Sequence, residues 1–237
     1  MAQGVYNVDM LECIIITPNI EGDLRKIINQ CPDLFDRAFV LCADSGYISA
    51  GNAGIRPDLV IGDYDSLGGA PPENVRHITF PVHKDYTDTG LCLDWALENG
   101  FGGVTIIGGL GGRLDHTISN IQDIAGFTRK GLRICIRDEF NFAAVLDGPD
   151  SITIRADMLR DAADPGEIKL YEDGPRIGLF SVGDRVTGIT SDGVEYPLTD
   201  ASLECTFPIG SANPLTGSEV HISIDAGLLL VTFSEYQ

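Results

Sequence analysis

The hydrophobic pattern of this chain changes character at about residue 138, and that change limits the folds open to it. Before it, short apolar runs at Cys13–Ile16, Phe39–Cys42, Leu59–Ile61, Ile78–Phe80, Val104–Ile107 and Leu132–Ile136 read as buried strands, with helical spacing in several of the gaps. In one gap Leu114, Ile118, Ile121 and Ala125 recur at steps of four, three and four, which predicts a helix laying that face against a sheet. In another, a helix starting near Thr87 turns Leu91, Cys92, Trp95 and Ala96 inward and stops at Asn99-Gly100. Strand alternating with helix predicts an α/β domain over residues 1–138, with a mostly parallel sheet and helices on both faces. From 139 to 237 the chain instead shows short alternating segments: Ser151–Ile154, Arg185–Thr190, Leu203–Phe207, Val220–Ile224 and Leu228–Phe233. Turn signals at Asp147-Gly148, Asp173-Gly174, Ser191-Asp192-Gly193 and Asp225-Ala226-Gly227 separate several of them, so this part is expected to be an all-β sandwich. Ala156–Gly166, rich in Asp and Ala, reads as a local insertion or a short helix within it.

The 237 residues are 43% hydrophobic, enough for a substantial core, and the apolar runs are too short to span a bilayer. Asp9 and Glu12 just before Ile14-Ile15-Ile16 do not resemble a secretory leader, so a soluble, cytoplasmic protein without a membrane partner is expected. Six cysteines without a C-x-x-C pair imply neither zinc nor disulfides. Thirty-five acidic residues against 16 basic ones give a formal charge of −19, which argues against nucleic acid as a partner. A polyphosphate approaching such a surface needs neutralisation, and a divalent cation held by carboxylates would supply it. The same acidity also fits a solvated surface that keeps a protein dispersed.

Two acidic motifs, Gly62-Asp63-Tyr64-Asp65-Ser66 and Lys84-Asp85-Tyr86-Thr87-Asp88, and a third, Gly111-Gly112-Arg113-Leu114-Asp115-His116-Thr117, each follow a strand-like run. In an open α/β sheet the crevice beyond the carboxyl ends of the strands is where ligands bind. On an extended segment Asp63 and Asp65 point the same way, roughly 7 Å apart. Asp85 and Asp88 stand three apart where a helix begins, on one side of its first turn, with one of them available as a cap. Taken singly, such pairs are more often turn or cap residues than ligands. Converging, each like-charged pair at about 4 Å costs about 4 kcal/mol at an effective dielectric near 20, so four carboxylates in one place need a cation. Oxygen-only ligands favour Mg²⁺ over zinc. The glycines of Gly108-Gly109-Leu110-Gly111-Gly112 lead from strand to helix, where backbone approaches a phosphate closely and the helix N-terminus favours an anion, with the Arg113 fork beside it. Leu114 stands where G-x-G-x-x-G requires glycine, and no lysine precedes Ser or Thr, so neither a dinucleotide fingerprint nor a P-loop is present. A tight strand-to-helix turn remains the alternative for the glycines.

Taken together, Ala43-Asp44-Ser45-Gly46, Pro57–Ser66, Lys84–Asp88 and Gly111–Thr117 resemble, in that order, the signature blocks of the thiamine pyrophosphokinase family. Gly193-Val194-Glu195-Tyr196-Pro197-Leu198 and Gly210-Ser211-Ala212-Asn213 resemble thiamine-side segments of its β-sandwich. The resemblance implies Mg²⁺-dependent transfer of pyrophosphate from ATP to the hydroxyl of thiamine, giving thiamine diphosphate and AMP. By the same resemblance Asp63, Asp65, Asp85 and Asp88 hold the metal, Arg113 contacts phosphate and Asp115 lies near the accepting hydroxyl. Asp44, Thr87, Gly111 and Gly112 are then substrate-binding residues of the 1–138 nucleotide- and metal-binding domain. Tyr196, Ser211 and Asn213 serve the 139–237 thiamine-binding and dimerisation domain, in a homodimer with thiamine at the subunit interface. His83 stands where many members carry an acid, Ser45 replaces a common glycine, and Ala212 separates Ser211 from Asn213 where Ser-Asn is often contiguous. His116, in a first helical turn, reads as a structural hydrogen-bonder. A Mg²⁺-dependent phosphohydrolase on another ester and a thiamine-binding module without catalysis are the alternative readings.

Overall fold

The computed structural model describes residues 5–6, 13–64, 69, 71–80, 87–168, 170, 174–207 and 210–235. After a two-residue strand β1 (Val5–Tyr6) the chain alternates β2 (Cys13–Ile16), α1 (Leu24–Gln30), α2 (Pro32–Arg37), β3 (Phe39–Ala43), α3 (Gly46–Asn52), β4 (Leu59–Gly62), β5 (His77–Thr79), α4 (Asp88–Glu98), β6 (Gly103–Ile107), α5 (Leu114–Arg129) and β7 (Arg133–Arg137). One compact unit is formed by the described part of Asp9–Ile28 with Pro32–Glu139, the other by the rest of the described chain.

In the first unit the strand order is β7-β6-β2-β3-β4-β5, and every pairing is parallel. Ile15 lies opposite Leu41 on one side and Ile106 on the other. Every residue of β2, β4 and β6 is buried, so these inner strands are covered on both faces, which is why their sequences read as unbroken apolar runs rather than alternating ones. On α4, Leu91, Cys92 and Ala96 are buried as the spacing predicts, while Trp95 is half-buried and stacks on Phe39 with ring centroids 5.4 Å apart. The face expected for α5 is only half right. Leu114 is 72% exposed and Ile118 48%, whereas the buried residues are Asn120, Ile124, Ala125, Phe127 and Thr128. α5 packs on β7 and α4. Its first two turns climb away from a glycine turn, so the inward position there falls to Asn120, which hydrogen-bonds that turn.

The second unit is built of β8 (Asn141–Asp147), β9 (Asp150–Arg155), β10 (Arg176–Ser181), β11 (Arg185–Asp192), β12 (Ala201–Glu204), β13 (Gly210–Pro214), β14 (Glu219–Ile224) and β15 (Leu228–Ser234). Within it β13-β10-β15-β8 run as one antiparallel set, and β1-β9-β14-β11-β12 form a five-stranded sheet. Among the described residues the one parallel pairing here is β1 on β9, Val5 opposite Ser151, so a segment that precedes β2 is stitched into the later β unit. The sequence pattern does not pick out β8, β10 or β13. β8 carries five consecutive buried residues, Phe142–Leu146, and lacks the alternation that marks a half-buried strand. Among the described residues no helix is long and apolar enough to cross a membrane.

Ala156–Gly166 is a strap rather than a helix. Two turns close it, Met158 N–H to Arg155 O at 3.2 Å and Arg160 N–H to Asp157 O at 3.0 Å. The Arg160 guanidinium grips both carboxylate oxygens of Glu235 and also donates to the carbonyls of Pro165 (2.9 Å) and Glu167 (2.6 Å). Glu235 is only 7% exposed, so its charge depends on that partner. Arg160→Ala is expected to destabilise the fold by about 3–5 kcal/mol, the usual cost of stranding one charge of a buried pair. Urea unfolding of the variant against the wild type measures it.

Candidate functional site

A parallel sheet sends every strand's exit to one rim, and β2 sits where the order reverses, with β3, β4 and β5 on one side and β6 and β7 on the other. Loops leaving β2 and β6 therefore diverge, and a crevice opens between them. A cleft of about 720 Å³ lies there, lined by Thr17 and Asn19 after β2, Asp44 after β3, Gly109 and Gly112 after β6, and the start of α4 at Thr87 and Asp88.

The glycine segment is built to turn. Gly108, Gly109, Gly111 and Gly112 all take left-handed backbone, φ between 61° and 84°, which glycine alone adopts without strain. Side-chain amides hold the turn from both sides. Asn120 Nδ2 donates to Gly109 O (2.8 Å), and Asn19 Nδ2 and Thr117 Oγ1 donate to Gly111 O (3.1 and 3.2 Å). Gly109 N–H bonds Asn19 O at 2.6 Å. A Cβ on Gly109 would stand 2.6 Å from Asn120 Nδ2. Asn19 and Asn120 are thus part of the site's frame, and no sequence spacing marks them.

Arg113 opens α5 and is exposed, as is Asp115. They pair with each other through two hydrogen bonds, Nε to Oδ1 at 3.1 Å and a terminal guanidinium nitrogen to Oδ2 at 2.5 Å. That bond from Arg113 holds the Asp115 carboxyl below the ordinary range. While so paired, Asp115 is a weak proton acceptor.

Asp88 does not cap α4, and Asp85 lies outside the described residues. Thr87 is the cap, its Oγ1 accepting from Gly90 N–H at 3.0 Å and donating to Asp123 Oδ2 at 3.0 Å. Burial pushes the Asp123 carboxyl up, against the pull of the Thr87 bond. Asp123 lies outside every motif, yet it ties the start of α4 to α5. Capping leaves Asp88, the first residue of α4, facing the cleft.

Asp44 lines the same cleft although it is 3% exposed, and its backbone is left-handed at φ 44°. Its Oδ1 accepts the backbone N–H of Tyr64 at 3.2 Å. Tyr64, also left-handed at φ 62°, buries its ring, and burial raises its phenol to about 12. Asp63, half-buried, stands between Gly62 and Tyr64. Asp65 and Asp85 lie outside the described residues; of the other two carboxylates expected to converge, Asp88 lines the cleft and Asp63 is not among its lining residues. Among the described residues no three His, Cys, Asp or Glu side chains form a metal-holding group. The donor type at Asp44, Asp63 and Asp88 is carboxylate oxygen, which suits a hard divalent cation.

In the β unit the structure brings Tyr196 and Asn213 together. Tyr196 N–H donates to Asn213 Oδ1 (3.0 Å) and Asn213 Nδ2 returns a bond to Tyr196 O (2.9 Å), leaving the Tyr196 side chain 64% exposed. Ser211 is exposed on the same strand as Asn213, and Ala212 between them is left-handed at φ 58°.

Residues 32–136 match the family described as thiamin pyrophosphokinase, catalytic domain, and residues 167–229 match thiamin pyrophosphokinase, vitamin B1 binding domain. Thiamin pyrophosphokinase 1 of Caenorhabditis elegans is 23% identical, covering 97% of this chain and 94% of its own. Thiamine pyrophosphokinase of Bacillus subtilis is 26% identical, covering 86% of this chain and 92% of its own. A crystal structure of the Bacillus subtilis protein shares the fold, with a TM-score of 0.74 at 23% identity over 95% of this chain and 100% of that one.

Thr87→Ala removes the cap and the Asp123 contact together and is expected to lower stability by about 1 kcal/mol, whereas Thr87→Ser, which keeps the hydroxyl, stays close to the wild type. Thermal unfolding followed by circular dichroism reads the difference.

Proposed function

This chain belongs to the thiamine pyrophosphokinase family, and on that footing we infer that it is an ATP:thiamine diphosphotransferase, moving pyrophosphate from ATP to the hydroxyl of thiamine and releasing AMP. The observation that carries the reading is the cleft at the reversal of strand order, where a glycine turn, Arg113 and Asp88 surround one space inside the stretch that matches the catalytic domain family.

Phosphoryl-type transfer asks a protein mainly for positioning and charge neutralisation. The glycine turn and the start of α5 take the phosphates, with Gly111 and Gly112 allowing close backbone approach and the Arg113 fork donating to phosphate oxygens. A phosphate that engages Arg113 competes with Asp115 for its donors. Asp115, released, is then available to accept a hydrogen bond from the thiamine hydroxyl as its oxygen bonds to the β-phosphorus and AMP departs. Asp44 and Thr87 shape the wall of the cleft.

Membership in a kinase family suggests a divalent metal requirement. We propose Mg²⁺, held by Asp63, Asp65, Asp85 and Asp88, because carboxylate oxygens are its preferred protein ligands and the formal charge of −19 otherwise repels a triphosphate. When bound, the cation supplies neutralisation of the triphosphate and of the charge that develops on the leaving AMP. On the vitamin side, an exposed Tyr196 ring held by Asn213, with Ser211 nearby on its strand, suits a cationic heterocycle, an attraction worth about 0.5–2 kcal/mol. We further propose a cytoplasmic homodimer in which thiamine binds at the subunit interface.

Incubation with ATP, Mg²⁺ and thiamine is expected to yield AMP and thiamine diphosphate in equal amounts, followed by chromatography. Asp88→Asn or Asp65→Asn should lower kcat by about 100-fold or more at saturating thiamine, and a chelator should abolish turnover. Release of phosphate or pyrophosphate without any need for thiamine would overturn the assignment.

A further inference from the structure

The side chain of Asp44 and the backbone around Asp63 form one mechanical unit. Asp44 N–H bonds Ile61 O at 2.7 Å, which brings the end of β3 against β4. Gly62 then passes so close that a Cβ there would stand 2.9 Å from Asp44 Cα and 3.1 Å from its Oδ1. One residue beyond Asp63, the N–H of Tyr64 reaches the same Oδ1 at 3.2 Å. Asp63 is therefore bracketed on both sides by contacts to a single residue.

The bracket holds backbone that does not hold itself. Left-handed φ is unfavourable for a tyrosine and tolerated by aspartate, yet here both partners adopt it, at 62° and 44°. Such conformations persist where surrounding bonds over-determine them. Tyr64 has a second anchor, its hydroxyl lying 2.7 Å from Ile78 O and 3.1 Å from Val60 O, within β5 and β4. A carboxylate that is 3% exposed and already accepts a backbone N–H is placed to hold protein, whatever else touches the cleft beside it.

We propose that Asp44 is a positioning residue: through the amide of Tyr64 and the close passage of Gly62 it presets the direction of Asp63 before metal or nucleotide arrives. The proposal rests on the reading of Asp63 as a metal-holding residue. It assigns Asp44 a hydrogen-bond acceptor's task rather than a charge's task, and that distinction is testable because asparagine keeps the acceptor, tolerates left-handed backbone and removes the charge.

The test uses the full chain as Asp44→Asn, Asp44→Ala and Asp44→Gly. Amide exchange at Tyr64 is followed by NMR in metal-free protein, binding of Mn²⁺ by electron paramagnetic resonance, and AMP formation by chromatography. Asp44→Asn is expected to keep Tyr64 protected and Mn²⁺ affinity near the wild type. Asp44→Ala should speed exchange at Tyr64 and weaken Mn²⁺ by about 10-fold or more, the usual scale for losing a group that orients a ligand. Asp44→Gly, which relieves the backbone but lacks the acceptor, should lose affinity likewise even where the alanine variant folds poorly. The proposal is overturned if Asp44→Asn loses Mn²⁺ as fully as Asp44→Ala while Tyr64 stays protected, since Asp44 then acts by its charge. It is equally overturned if the glycine variant leaves both exchange and affinity unchanged. A wild-type protein that makes no AMP would remove the diphosphotransferase reading alone, because exchange at Tyr64 judges the bracket without any substrate.

Discussion

Everything at the candidate site depends on the parallel pairing of β2 with both β3 and β6. Parallel hydrogen bonding fixes which rim the strand exits share, and the reversal of order at β2 fixes where on that rim the loops part. Because β2, β4 and β6 are buried along their whole length, the frame beneath the cleft is dry and tightly packed. Chemistry is left to the loops, which need only leave the strands at sharp angles and stay where they are put.

Sharp angles are what the backbone supplies there. Left-handed residues gather at this rim, Asp44 after β3, Tyr64 after β4 and four glycines after β6. Each turn is then pinned by a polar side chain from elsewhere in the chain: Asn19 and Asn120 on the glycines, Asp44 on Tyr64, Asp123 on Thr87. The result is a cleft whose contours are set by hydrogen bonds between loops rather than by regular structure, with charged groups such as Arg113 and Asp88 mounted on helices that start at its edge.

Legibility in the sequence followed burial. Strands covered on both faces announced themselves as apolar runs, and the change from α/β to all-β character is visible in the pattern, although the described residues of Met1–Val8 and Asn29–Cys31 fall with the β unit. The motif residues Asp44, Thr87, Asp88, Gly112 and Arg113 do line one cleft. What stayed hidden depended on tertiary partners. The face of α5 went astray because its first turns answer to a glycine turn rather than to the sheet, so Leu114 and Ile118 meet solvent. The cap of α4 fell to Thr87 instead of an aspartate since its hydroxyl both accepts from Gly90 and donates to Asp123, which a carboxylate cannot do. Asn19, Asn120 and Asp123 carry no local signal at all, each being defined by a contact distant in sequence.

The parallel bridge between β1 and β9 has a consequence for biosynthesis. The stretch from β2 to β7 precedes β8–β15 in the chain, so the strands of its parallel sheet are all made before β9. The β unit draws on β1, which precedes that stretch, and on β9, which follows it. β1 is made well before the strand that receives it, so the β1–β9 bridge closes only after the whole of β2–β7 has been synthesised.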